Sequence, residues 1–217
     1  MRMRPILSLL ALSIGASGCQ PAREAARPAE RAAVTLEAPE GWRSVALAQH
    51  ASISEDLPNL FRQAVSSARP GAANRELLDP GLALPRAAPA PGAYRCRLVR
   101  LGAGAPPAAA PARGRRASRD AFCFVQVADE RLSLTLETSL RPLGGFLWET
   151  GRNDRLVFLG AEFAARARSA PPYGDPGAIS TAGLFERTGD FRYRLVVRGP
   201  VPGTIDVYEL VAAPAQR

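Results

Sequence analysis

Apolar residues recur along this chain with two periods, and the change of period divides it. Leu57, Leu60, Phe61, Ala64, Val65 and Ala68 fall on one face at helical spacing. Ser54, Glu55 and Asp56 supply a start, and Arg69-Pro70-Gly71 a stop. Pro58 requires the helix to begin just before it or to kink there, because proline has no backbone N–H to donate. Trp42 and Val45 are expected to pack beneath this helix. Residues 70–92 are rich in proline and glycine, with Asp79-Pro80-Gly81 as a turn.

Past residue 92 the period is two. Tyr94, Cys96 and Leu98 alternate with Arg95 and Arg97, and AFCFVQVA at 121–128 is a mostly apolar strand. Leu132, Leu134, Leu136, Thr138 and Leu140 alternate with Arg131, Ser133, Thr135, Glu137 and Ser139, the pattern of a strand buried on one face. Gly144-Gly145 breaks the run before Phe146-Leu147-Trp148, and RLVFLG at 155–160 follows. Residues 179–187 and 191–198 flank Thr188-Gly189-Asp190, a short hairpin turn. In the second arm Phe191, Tyr193, Leu195 and Val197 face one way, and Arg192, Arg194 and Arg198 the other. TIDVYELVA at 204–212 ends the series.

The predicted fold is mainly β: about eight antiparallel strands after one N-terminal helix. A closed barrel, lipocalin-like or protease-inhibitor-like in outline, removes exposed strand edges. An open sandwich is the competing architecture, but one helix and one tail cover two edges poorly.

The N-terminal residues set the compartment. Arg2 and Arg4 precede an apolar run from Ile6 to Ala16, the layout of an export signal and too short to span a bilayer. Ala16-Ser17-Gly18-Cys19 resembles a lipobox, with Ala16 where leucine is usual. Cys19 is thus the expected lipidation site, and three acyl chains hold far more firmly than one. Gln20 after the anchor points to the outer membrane, facing the periplasm. Four segments follow: a signal at 1–18, a flexible tether at 19–40, the helix and its Pro/Gly-rich connection at 41–92, and the barrel at 93–213. The tether has few large apolar residues and reaches about 25 Å as a coil.

Composition narrows the chemistry. All 28 basic residues are arginine, so no lysine serves as Schiff base, phosphate ligand or general base. The single histidine, His50, cannot build a multi-imidazole zinc site. The net charge of +8 would suggest nucleic acid in a cytosolic protein, but export argues against that partner. Arg113, Arg115, Arg116 and Arg119 form an acid-free cluster that reads as a solvated loop or as a patch for anionic envelope surfaces. Cys96 and Cys123 remain once Cys19 is lipidated. Both lie in consecutive strands of a chain bound for an oxidising compartment, so a disulfide is expected with Cα atoms about 4.4–6.8 Å apart.

Several phrases carry a family likeness: LLDPGLALPRAAPAPGAYRCRLVRLG, LRPLGGFLW, RLVFLG and YGDPGAISTAGLFERTGDFRYRLVVRGPVPGTIDVYELV. Over about residues 41–213 the chain resembles a family catalogued as a domain of unknown function, family 4893. Tyr94-Arg95-Cys96-Arg97 matches that family's YRCR fully. Phe122-Cys123-Phe124-Val125 matches its FRCRV loosely, with Phe124 in place of an arginine. The resemblance implies domain limits and no activity.

Catalytic signatures are sparse. There is no Gly-x-Ser-x-Gly elbow and no second imidazole. Glu149, Asp154, Asp175, Asp206 and Glu209 are scattered, and spacing brings no two together. Arg141 and Asp206 stand near strand ends, where they read as a structural ion pair or as ligand contacts at a barrel mouth. The aromatics Trp42, Phe122, Phe124, Phe146, Trp148 and Phe158 read as core. No cofactor is expected. The leading reading is a non-enzymatic binding module holding an envelope protein, such as a protease, by barrel-end loops. The alternative is a carboxylate-dependent hydrolase of envelope glycans or esters, and a hollow barrel would suit a small-molecule carrier. A filled interior with exposed apolar loop tips favours the module; two facing carboxylates in a concave site favour the hydrolase.

Overall fold

A computed structural model describes residues 56–68, 70–102, 121–128, 130–138, 140–164, 167 and 169–214. Cys19, the tether, Trp42, Val45, His50 and the cluster Arg113, Arg115, Arg116 and Arg119 lie outside the described residues.

Eight antiparallel strands close a barrel in chain order: β1 (Gly92–Leu101), β2 (Ala121–Ala128), β3 (Arg131–Leu136), β4 (Leu143–Glu149), β5 (Arg155–Glu162), β6 (Ser180–Gly189), β7 (Arg192–Arg198) and β8 (Ile205–Ala212). Closure comes from β1 against β8, with Leu98 opposite Tyr208 and Arg100 opposite Asp206. The barrel, not the sandwich, is the architecture, and the period-two alternation is its cause.

The alternation separates two apolar clusters. Inside the barrel lie Tyr94, Cys96, Cys123, Val125, Leu134, Leu136, Leu143, Leu147, Phe158, Phe185, Leu195, Val197 and Tyr208. They fill the lumen, as expected for a small barrel. Cys96 and Cys123 are disulfide-bonded within this cluster, with Cα atoms 5.9 Å apart. On the outer wall, Val99, Phe146, Trp148, Val157, Leu159, Leu184, Val196 and Val207 pack with Leu57, Phe61 and Ala64. These last three belong to helix α1 (residues 56–68), which lays its apolar stripe on the barrel and leaves Ala68 exposed.

The connection from α1 to β1 closes one end of the barrel. The Leu84 amide donates to the Arg187 carbonyl, the Ala87 amide to Asn153, and the Tyr94 hydroxyl to the Ala90 carbonyl. Short turns join strands at that end, including residues 150–154 and 190–191. The longer connections among the described residues, 137–142, 163–179 and 199–204, join strands at the opposite end, here termed the mouth.

Four local expectations differ from the structure. Gly144 and Gly145 do not break the run; both lie within β4. A Cβ on Gly145 would come within 2.3 Å of the Leu159 carbonyl oxygen, and Gly145 pairs with Gly160, so the glycines allow two strands to approach closely. β3 stops at Leu136 because the Thr138 hydroxyl turns back to the Arg141 carbonyl and Pro142 cannot donate, which leaves Leu140 exposed. Ser133 and Thr135 of β3 are buried, so both of its faces are covered. The β6–β7 turn begins two residues later than expected and is shorter, at Asp190-Phe191, with Phe191 at φ 53° and exposed.

A candidate functional site at the barrel mouth

The register of β8 against β1 sets Asp206 opposite Arg100 at the mouth. Asp206, at 0% exposure, accepts from Arg100 in the forked geometry: Nε to Oδ1 at 2.6 Å and Nη2 to Oδ2 at 2.9 Å. The same Oδ2 accepts from Arg141 Nη1 at 3.2 Å. Arg141 sits just before β4 and spans the mouth. Its Nε donates to Glu162 Oε1 at 2.7 Å, its Nη1 also to the Arg198 carbonyl at 2.6 Å, and its Nη2 to Thr181 Oγ1 at 3.0 Å. The Arg141 backbone is fixed as firmly. Its carbonyl accepts from the Tyr208 hydroxyl at 2.8 Å and from Thr138. Burial pushes the Tyr208 phenol well above its ordinary pKa, since the phenolate would lose its hydration there.

Above this hub is a cleft of about 500 Å³, lined by Arg141, Glu162, Ser180, Thr181, Arg198 and the apolar Leu57, Ile179, Ala182 and Pro200. That volume is in the range of ligand sites. A second cleft of about 640 Å³ runs between α1 and the β7–β8 loop, and Arg198, Gly199 and Pro200 form the ridge shared by both. Leu140, Ile179 and Val201, at 71%, 61% and 53% exposure, stand on the mouth connections.

The structure brings the two expected mouth residues together. Arg141 lines the cleft; Asp206 lies beneath it and holds it. Asp206 is neutralised by two guanidinium groups and sealed from solvent, the setting of a structural ion pair rather than of an exposed general acid. Glu162 is the second carboxylate on Arg141, and the guanidinium stands between the two. The other scattered carboxylates stay apart. Asp154 pairs with Arg152 and Arg155, and Glu209 with Arg97. Of the aromatics expected in the core, Phe146, Trp148 and Phe158 are buried, whereas Phe122 is exposed. Among the described residues, no three of His, Cys, Asp and Glu converge to hold a metal ion.

Sequence reasoning missed Arg100, Glu162, Thr181 and Arg198. Arg100 continues the two-residue alternation of Tyr94, Cys96 and Leu98, so the pattern alone already placed it inward; Glu162 and Thr181 depend on strand register, and Arg198 on where α1 docks. Across known proteins, no curated protein and no solved structure matches the chain. A family match covers residues 42–210, the whole barrel up to Leu210 with the helix and its connection. The chain therefore belongs to the family described as Domain of unknown function (DUF4893).

Proposed function

We propose that the protein is a non-enzymatic binding module, lipid-anchored at Cys19 to the periplasmic face of the outer membrane, that grips an envelope protein such as a protease with its mouth loops. One observation carries the reading. The lumen is filled, so the barrel is a rigid scaffold, and Leu140, Ile179 and Val201 are exposed together at the end where the longer connections gather. Exposed apolar side chains grouped around polar ones are the surface of an interaction site rather than of an inert end. The anchor reading rests on Ala16 to Cys19, and residues 20–40 would let the module reach away from the membrane. Arg113, Arg115, Arg116 and Arg119 fall in sequence between β1 and β2 and would meet anionic headgroups or partner acids.

The test is site-specific photo-cross-linking in cells. A cross-linker at Leu140, Ile179 or Val201 is expected to yield a discrete adduct, while one at Phe191 or Val127, both exposed but remote from these loops, yields none. Equal adducts from both sets, or none from the mouth, would overturn the reading. Cys19→Ser is expected to release the chain from membrane fractions.

A further inference from the structure

The polar groups lining the mouth cleft are unequal in kind. Thr181 Oγ1 accepts from Arg141, and Ser180 Oγ accepts from the Gly174 amide at 2.8 Å, so each hydroxyl keeps a proton to donate. Arg141 has five N–H groups and uses four among the described residues. Arg198 is 60% exposed in its side chain and, among the described residues, has one loose ion pair, 3.5 Å to Asp56. Against these donors the lining offers one carboxylate oxygen unused among the described residues, Oε2 of Glu162. A ligand that satisfies the cleft must bring acceptors. Leu57, Ile179, Ala182 and Pro200 complete the wall, and the adjoining cleft continues it with Leu60, Ala64, Val201 and Ile205. The ligand must therefore bring apolar surface beside its acceptors.

We propose that the cleft binds a carboxylate presented next to an apolar group. Thr181 Oγ1 and Arg141 Nη2 stand 3.0 Å apart, a spacing that suits two donors to the two oxygens of one carboxylate, with Arg198 as the cationic rim. Glu162 sets a limit on this site. Its charge opposes a bare dianion, which favours a single carboxylate over a phosphate and favours a ligand that also carries an N–H for Oε2. The inference rests on reading the mouth as the binding face, and it adds the chemistry recognised there.

The probe is N-acetyl-leucine, a carboxylate with an amide N–H and an apolar side chain, with N-acetyl-leucinamide as its uncharged twin and octanoate as an acyl carboxylate. NMR on the exported chain with Cys19→Ser reads the Arg141 Nε–H and Thr181 amide signals. Both acids are expected to shift them and the amide to leave them unmoved. A stronger response to N-acetyl-leucine assigns a peptide source, and a stronger response to octanoate an acyl source. Arg198→Gln, an exposed change that spares the fold, is expected to weaken binding about tenfold, the size of one charge-assisted hydrogen bond. Equal shifts from acid and amide, no shifts at millimolar probe, or unchanged affinity in R198Q would each overturn the inference. Cross-links from Leu140 would survive that outcome, so this proposal and the module reading fail separately.

Discussion

Two buried arginines, Arg194 on the outer wall and Arg141 at the mouth, have nearly the same inventory of partners and opposite surroundings. Arg194 of β7 is 1% exposed. Its Nε and Nη2 both meet Glu186 Oε2, at 2.8 and 2.7 Å, and its Nη1 donates to the carbonyls of Leu77 and Asp79. Phe61 of α1 lies over it at 5.1 Å. This arginine fastens helix and connection to the barrel, and the gap left beside it is only about 40 Å³. Arg141 also makes four hydrogen bonds, but its partners sit on strand ends and a cleft of about 500 Å³ opens above it. Donor count does not separate a staple from a site. What packs on the remaining side does.

The largest effect expected from this contrast is on stability. Arg194→Met would leave buried Glu186 with only Arg155, at 3.6 Å, and free two backbone carbonyls beneath the helix. Removing one member of a buried pair costs ~3–5 kcal/mol, a large share of the stability of a domain this size. Chemical denaturation measures it, and Glu186→Gln added to R194M is expected to recover part of the loss. A loss under about 1 kcal/mol, the size of one ordinary hydrogen bond, would show that α1 does not depend on the staple.

At the mouth the same substitution, Arg141→Met, is expected to cost less, ~1–3 kcal/mol. Asp206 keeps its forked pair with Arg100, and Glu162 can turn to solvent. The variant should instead lose ligand or partner binding. If R141M proves as damaging to folding as R194M, the mouth arginine is a staple too, and the comparison collapses.

How much of this was legible in the sequence follows from the same pair. The alternation of Tyr193, Leu195 and Val197 against Arg192, Arg194 and Arg198 correctly separates the two faces of β7. It gives no sign that α1 covers the outer face at Arg194 and leaves Arg198 bare, because that depends on where the helix docks. Arg141 and Asp206 were readable as mouth residues from their positions near strand ends. Glu162 and Thr181 were not, because they meet Arg141 only through the β4–β5 and β5–β6 registers. The disulfide was legible because two cysteines in successive strands leave one pairing, and Gly144-Gly145 misled because glycine marks a close strand approach as readily as a break.

Alkaline pH probes the two ends together. Burial pushes the Tyr94 phenol, at the closed end, up to about 12, with the neighbouring Tyr193 adding to the shift. Tyr208 under the mouth is raised by burial as well. A raised folded pKa means stability is intact below the unfolded value of about 10 and is lost as pH rises above it, because the unfolded chain ionises first. Denaturation midpoints are expected to hold to about pH 9 and fall between pH 10 and 12. Tyr208→Phe removes the hydroxyl that supports the Arg141 carbonyl and should flatten part of that fall. Tyr94→Phe should flatten another part without touching the mouth.

The smallest effect concerns the outer rim of the Arg194 network. Asp154 meets Arg152 at 2.8 Å and Arg155 at 3.4 Å, and Arg155 in turn stands 3.6 Å from Glu186. The hydrogen bond from Arg152 is the main cause that holds the Asp154 carboxyl down at about 2, against an ordinary 3.8. A lowered folded pKa contributes stability that is present above pH 3.8 and lost as pH falls toward 2, where the folded carboxyl also protonates. Solvent screens this rim, so the expected contribution is small, ~0.2–1 kcal/mol as for other exposed pairs. Asp154→Asn should therefore lower stability slightly at pH 7 and make no difference near pH 2. If instead D154N costs as much as R194M, the rim and the buried Glu186–Arg194 pair act as one unit, and the staple extends through Arg155 to the closed end of the barrel.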